Sequence, residues 1–429
     1  MTKTKVLIIA YYWPPAGGPG VQRWLKFVKY LPEFGIEPIV YVPSNPSYPI
    51  IDETLLSEVS EGITVLKQPI KEPYKFAGFL SKSKTKTISK GIIPKEKRQS
   101  PIEKLMLFIR GNFFIPDARK KWVRPSVQYL DTYIDDYHIQ TVITTGPPHS
   151  LHLIGMELQK RAGVKWIADF RDPWTTIGYH KQLKLTKFAK QKHKALEKKV
   201  LQSANQIIVT SSVTKKEFEQ VTSKPIAVIT NGYDTHTVSN PPLDTFFSLA
   251  HIGSLLAKRN PKVLWQVLKE LVDENKDFAK DLQLHFVGSV SEDVLASIDS
   301  FGLSSYVYNH SYVTHNKAIE FQKKSQILLL IEVDSEETKC IIPGKLFEYM
   351  ISNRPILALG PEASDIETLI KETNTGVYFN YHDHEALKKT LIKYYGAFQE
   401  GTLQAHAIGL QKYSRKNLTE SLSKLILWE

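Results

Sequence analysis

The chain has almost no cysteine: Cys340 is the one among 429 residues. An internal disulfide framework is therefore excluded, and a reducing, cytoplasmic setting is expected. Long apolar runs are missing too, since none approaches the roughly 18 residues needed to span a bilayer. The apolar start, MTKTKVLIIAYYW, runs straight into Pro-Pro-Ala-Gly-Gly. It reads as a first β-strand rather than a secretory leader. There is no short internal repeat. Acid is the scarcer sign of charge, with 44 Asp and Glu against 56 Lys and Arg, a net charge of +12. Between Lys75 and Arg124, 14 basic residues face three acids (Glu96, Glu103 and Asp117), so nearly the whole excess sits in one stretch. A second basic run follows at Lys181–Lys199. Such stretches attract polyanions: nucleic acid, anionic headgroups or a phosphorylated acceptor.

What is present is globular. Hydrophobic residues make up 42% and charged residues 23%, and the length suits two α/β domains of roughly 200 residues each. Strand-like runs are expected at Lys5–Tyr12, Pro38–Val42, Thr141–Thr145, Val164–Phe170, Gln206–Ser211 and Ile226–Asn231. Helical patterns lie between them at Val21–Phe34, Val123–Asp136, Leu151–Arg161 and Leu183–Gln202. The pattern restarts with strands at Ser248–Gly253, Leu282–Gly288, Tyr306–Val313, Gln326–Ile331 and Pro355–Gly360. Its helices are Pro261–Val272, Lys317–Lys324, Lys345–Ile351 and His384–Tyr395. Near-continuous apolar strands alternating with helices argue for parallel, doubly wound sheets. The expected fold is thus α/β, two Rossmann-like domains facing a cleft. The expected divisions are 1–238, 239–402 and a helical segment 403–429 that returns to the first domain, with Tyr233–Asp244 as linker. The Lys/Ser/Thr-rich stretch Ser81–Ser100 is the expected mobile loop.

In open α/β sheets ligands bind beyond the carboxyl ends of the strands, so the loops there are the places to look for chemistry. Trp13-Pro-Pro-Ala-Gly17-Gly18-Pro-Gly20 follows the first strand. Its spacing is not Gly-x-Gly-x-x-Gly, and its prolines remove backbone donors, which disfavours a dinucleotide site. Gly146-Pro-Pro-His149-Ser150 offers an imidazole for a sugar hydroxyl or phosphate, or a cap for the next helix. Asp169-Phe-Arg171-Asp172-Pro-Trp174 crowds two carboxylates, a guanidinium and an indole at one strand end, a set suited to carbohydrate. His251-Ile-Gly253-Ser254, then Lys258-Arg259, offers an open glycine turn and cations for a diphosphate leaving group. Pro343-Gly344-Lys345-Leu-Phe-Glu348 opens a helix whose first N–H groups suit phosphate, with a carboxylate a turn later suited to a ribose diol. Each motif also has a plain structural reading: a tight turn, a structural histidine, a salt bridge or a surface glutamate.

These motifs, together with Asn231-Gly-Tyr-Asp234 and Arg354-Pro355, resemble the family-four glycosyltransferases of GT-B fold, over essentially the whole chain. The resemblance implies a retaining, metal-independent, hexosyltransferase-type transfer from a nucleotide-sugar, with no cofactor. It implies Gly344 and Lys345 near the phosphates, Glu348 on the ribose, Val313 by the base and His149 by the transferred sugar. Arg259 falls where a family cation stabilises the diphosphate, with Lys258 as its rival, and Gly17 and Gly18 would lie over the donor phosphates. His149, Asp172, Arg259 and Lys345 are the expected catalytic residues; Gly17, Gly18, Gly253, Ser254, Val313, Gly344 and Glu348 are the expected donor contacts. The sequence departs from the family at one point. A pair of glutamates separated by seven residues is usual, and counting back from Glu348 gives Cys340. Asp334, Glu336 and Glu337 are the substitutes at hand. The expected acceptor is a glycan or lipid-linked group of cell-surface polysaccharide or glycoconjugate synthesis, met peripherally at an anionic inner membrane face. Two alternatives are a 2-epimerase of the same architecture and a non-enzymatic polyanion binder. No nucleic-acid motif and no interleaved aromatics accompany the basic stretch, so nucleic acid is not expected as a partner.

Overall fold

The computed structural model describes residues 3–72, 101–181, 183–234 and 241–428. The stretch Ser81–Ser100 and positions 235–240 of the linker lie outside these residues. The chain forms two compact units, Met1–Asn231 with Arg415–Glu429, and Gly232–Ser414. Residues 403–414 stay with the second unit, where Leu403 joins the core.

The first unit holds a parallel seven-stranded sheet in the order β3-β2-β1-β4-β5-β6-β7. Its strands are β1 (Thr4–Ile9), β2 (Ile36–Pro43), β3 (Thr64–Gln68), β4 (Thr141–Gly146), β5 (Lys165–Phe170), β6 (Gln206–Val209) and β7 (Ile226–Val228). Residues along β1 alternate between two cores. Val6, Ile8 and Ala10 enter one, and Leu7, Ile9 and Tyr11 the other. This is the period of two that a strand covered on both faces requires. The terminal helix, Arg415–Leu427, adds Leu418, Leu422 and Ile426, one residue per turn, to the first of these cores.

The second unit repeats the design with a parallel six-stranded sheet, β10-β9-β8-β11-β12-β13. These are β8 (Phe247–Ile252), β9 (Leu282–Val287), β10 (Val307–His310), β11 (Ile327–Ile331), β12 (Ile356–Leu359) and β13 (Gly376–Phe379). Leu329 and Ile331 face one core, Leu328 and Leu330 the other. The order of each sheet reverses once, between β1 and β4 and between β8 and β11. Crevices at such reversals are where doubly wound sheets take ligands.

Two strands escape the sequence pattern, β3 and β13. Both are short edge strands with partly exposed residues, five residues in β3 and four in β13, too short to stand out as runs. The apolar run expected to continue to Val313 ends at His310, because β10 is itself an edge and its last residues turn away as loop.

Candidate functional site

In the second unit the loops after β8, β9 and β10 enclose a cavity of about 720 Å³. Gly253, Ser254, Gly288, Ser289, Tyr312, Val313 and His315 line it. Gly253 and Gly288 have φ of 112° and 125°, a region open to glycine. A Cβ on Gly288 would stand 2.8 Å from the carbonyl oxygen of Gly253. Two backbones thus meet without side chains, and the space above them stays open.

Lys345, in the first turn of the Gly344–Met350 helix, reaches toward this floor. Its Nζ donates to Ile252 O at 3.1 Å and lies 3.4 Å from His251 Nε2. His251 Nδ1 donates to Leu329 O at 3.1 Å, which leaves Nε2 as the acceptor facing the lysine. Burial and the charge of Arg259 bring Lys345 down to about 8, against the opposing pull of Glu332. Burial, then Lys345 and Arg259, hold His251 well below its ordinary value, so the ring is neutral. Arg259 donates to Glu332 at 3.0 Å, and that carboxylate, at the end of β11, is buried. Lys258 is exposed.

Glu348 accepts from Gln322 Nε2 at 2.9 Å, and His315 Nε2 is 3.7 Å away. The glutamate therefore joins the cavity through His315, which lines it. Gly344 is exposed, and a Cβ there would meet nothing within 4 Å. Of the acids weighed for the Cys340 position, Asp334 and Glu336 are exposed, with Glu336 paired to Lys339 at 2.7 Å. Cys340 Sγ points to the carbonyl of Glu337 at 3.7 Å. The acid beside the cations is Glu332, which the motif reading passed over. The signal was available: an acid directly after the wholly apolar run Ile327–Ile331 sits at a strand's carboxyl end.

In the first unit, the loops after β4 and β5 border a smaller cavity of about 290 Å³, lined by His149, Asp172, Trp174, Arg171 and Tyr12 among others. The His149 ring lies flat on Trp174, centroids 5.0 Å apart and planes at 2°. Neither of its nitrogens has a hydrogen-bond partner among the described residues. Burial, then the neighbouring His152 and His180, hold it well below its ordinary value. A neutral imidazole facing a cavity can both donate to and accept from a hydroxyl.

The rest of the Asp169–Trp174 motif differs from the expectation. Asp169 is wholly buried and accepts from Arg23 Nη2 at 2.8 Å, Trp24 Nε1 at 2.9 Å and Thr145 Oγ1 at 2.8 Å. It locks the first helix, Pro19–Tyr30, to β4 and β5 and is not open to a sugar. Trp174 is buried, with His149 covering a face. Asp172 remains partly exposed and pairs with Arg171 at 3.1 Å. Neither His149 nor Ser150 caps the Ser150–Ala162 helix through its side chain. Asp117 does so instead, accepting from Ser150 N at 2.8 Å.

Gly17 and Gly18 lie outside both cavities. The Gly17 N–H donates to Ile50 O at 2.9 Å, and a Cβ there would stand 2.9 Å from Ile50 Cγ2. That glycine is explained by its neighbouring loop, and its amide is already used. At Gly20 a Cβ would fall 2.1 Å from Arg171 Nη1, the far end of a long side chain that would have to move aside.

Two doubly wound parallel units, one with a glycine-floored pocket bordered by two partly buried cations, define a protein of GT-B architecture. Residues 92–237 match the family described as Glycosyltransferase Family 4, and residues 247–396 match Glycosyl transferases group 1. Each unit thus matches a glycosyltransferase family model, and the chain is a glycosyltransferase. No curated protein matches it in sequence. Among solved structures it resembles a sucrose-phosphate synthase of Thermosynechococcus elongatus (TM-score 0.60, 13% identity, 99% of this chain and 98% of that one). HepE of Anabaena, in complex with UDP and glucose, is similar at TM-score 0.59 and 13% identity, over 99% and 100% of the chains. A putative UDP-N-acetylglucosamine 2-epimerase of Listeria monocytogenes shares the fold at TM-score 0.54 and 11% identity, over 100% and 98%.

Proposed function

We propose that this glycosyltransferase takes its nucleotide-sugar in the second-unit cavity and transfers the sugar, a hexose-type unit, with retention of anomeric configuration. The observation that carries the reading is the placement of Lys345 and Arg259 beside a glycine-floored pocket at the carboxyl ends of β8, β9 and β10. The base is assigned to the side formed by Val313, the phosphates to Gly253, Ser254 and the start of the Gly344 helix, and the ribose to Glu348 with His315. As the glycosidic bond breaks, negative charge grows on the diphosphate, and the two cations stabilise it without reorganising. This is the charge a bound metal would otherwise carry. The acceptor hydroxyl attacks an oxocarbenium-like centre from the leaving-group face and passes its proton to a phosphate oxygen. No pair of acid and base carboxylates is needed. His149 is assigned to a sugar hydroxyl, and Asp172 with Arg171 to the polar rim of the smaller cavity.

The acceptor in this reading is a glycan or lipid-linked group of cell-surface polysaccharide or glycoconjugate synthesis, met at the cytoplasmic face of a membrane. No helix among the described residues is long and apolar enough to cross a bilayer, so the contact would be peripheral. The epimerase fold-mate suggests a second reaction on the same donor, and product analysis without acceptor separates the two. The direct test is a thermal-shift screen of the full chain against nucleotides and nucleotide-sugars, since a ligand bound only by the native state raises the melting temperature. A shift with a nucleotide-sugar that Lys345→Ala abolishes is expected; no shift with any member of the panel overturns the reading.

A further inference from the structure

The Pro101–Phe113 helix turns apolar side chains toward solvent. Leu107 and Gly111 face inward. On the opposite side Leu105, Phe108, Ile109 and Phe113 are 57%, 37%, 39% and 63% exposed. Leu105, Ile109 and Phe113 recur every four residues, with Phe108 beside them, which makes one continuous stripe. Scattered exposed apolar residues need no account, but a contiguous stripe of them marks a contact surface.

A second helix, Lys187–Ser203, is tied to the first. Asn112 Oδ1 accepts from Thr186 N and Thr186 Oγ1, both at 2.8 Å, just ahead of that helix. Gly111 lets the two segments meet, for a Cβ there would stand 2.6 Å from Leu185 Cδ2. Phe188, in the first turn, is 73% exposed. The helix carries six lysines, all exposed, while its one acid, Glu197, is buried. Lys120 donates to Phe113 O at 2.8 Å and adds a cation at the end of the first helix. The lysine-rich helix thus lies beside the helix that carries the apolar stripe, within the first unit.

We propose that the two helices together dock on an anionic lipid bilayer, with Leu105, Ile109, Phe113 and Phe188 entering the headgroup layer and the lysines of the second helix resting on it. The combination selects the partner. Lysines alone would suit any polyanion, but a nucleic acid takes up single apolar wedges between bases rather than a whole exposed stripe of leucine, isoleucine and phenylalanine. A bilayer surface pairs negative headgroups with an apolar layer a few ångströms below. The inference rests on the reading of a lipid-linked acceptor and places the contact that reading requires.

The test is co-sedimentation of the full chain with vesicles of phosphatidylcholine and phosphatidylglycerol, and of phosphatidylcholine alone, at about 0.15 M salt. Wild type should bind the mixed vesicles at least roughly tenfold more tightly than the neutral ones. The double variant Phe113→Glu/Phe188→Glu should lose roughly tenfold or more of that binding. Both substitutions are at exposed positions, and an unchanged melting temperature with an unchanged nucleotide-sugar shift confirms that the variant folds. Wild type that ignores both vesicle types, or a variant that binds as well as wild type, overturns the proposal. So does a dimer that forms without vesicles and that the double variant abolishes, because the face then belongs to a second copy. Failure of the nucleotide-sugar shift in wild type itself would sink the donor reading, whatever the vesicles show.

Discussion

The two units share an architecture but treat the ends of their strands in opposite ways. In the first, the loops at the β1–β4 reversal are filled by the protein's own polar groups. Asp169 is saturated by Arg23, Trp24 and Thr145, and His149 is sandwiched against Trp174. In the second, Gly253 and Gly288 empty the equivalent space, and the charges are set at its border. Where a buried carboxylate meets several donors, it serves the fold. Where a cation is buried with too few counter-charges, it is available to a ligand.

The largest effect that can break this comparison is at Asp169. Asp169→Asn leaves Arg23 buried without its counter-charge, a loss of about 3–5 kcal/mol. Chemical denaturation followed by the fluorescence of Trp24 should show it, while donor affinity in the folded protein is unchanged. A loss of affinity without a loss of stability would return Asp169 to the site. Lys345→Ala should act in the opposite sense, cutting kcat/KM by about 10²–10³ with little change in melting temperature. Gly288→Ala sharpens the contrast through shape alone. Its Cβ would press on Gly253 O in a backbone region few side chains adopt, which should cost about 1–3 kcal/mol of stability together with donor affinity. Glu348→Ala should weaken donor binding about tenfold, the worth of a charged hydrogen-bonding partner. If calorimetry finds the affinity unchanged, the ribose assignment fails.

The smallest effect is in pH. An ordinary lysine keeps its proton to about 10.5, whereas burial brings Lys345 to about 8. The cation is the form that binds phosphate, so affinity should be full below that value and fall as pH rises through it. Calorimetric titrations on either side of pH 8 would detect the fall, and Lys345→Arg should remove it, because a guanidinium stays charged there.

The sequence was legible where a local rule acts. Strands covered on both faces show as apolar runs, and the Val123–Asp136 helix falls on its expected residues. Edge strands β3 and β13 were not legible, because they are short, five and four residues, and only partly buried. The motif at Gly344–Glu348 could be read from consecutive residues, and the structure sets its lysine against Ile252 O beside the glycine-floored cavity. Glu332 was missed because its partner, Arg259, is 73 positions away in the chain. Asp169 was over-read for the same reason: of its three donors, Arg23 and Trp24 come from a helix about 145 residues earlier.

The order of elements, the two α/β units and the family were thus set by periodicity and by motifs of a few consecutive residues, which depend on spacing along one segment. Which carboxylates are saturated, which cation is stripped of water and which glycines leave room were decided when distant strands came side by side. Those properties follow from local dielectric and from available partners, and both are made by residues far apart in the chain.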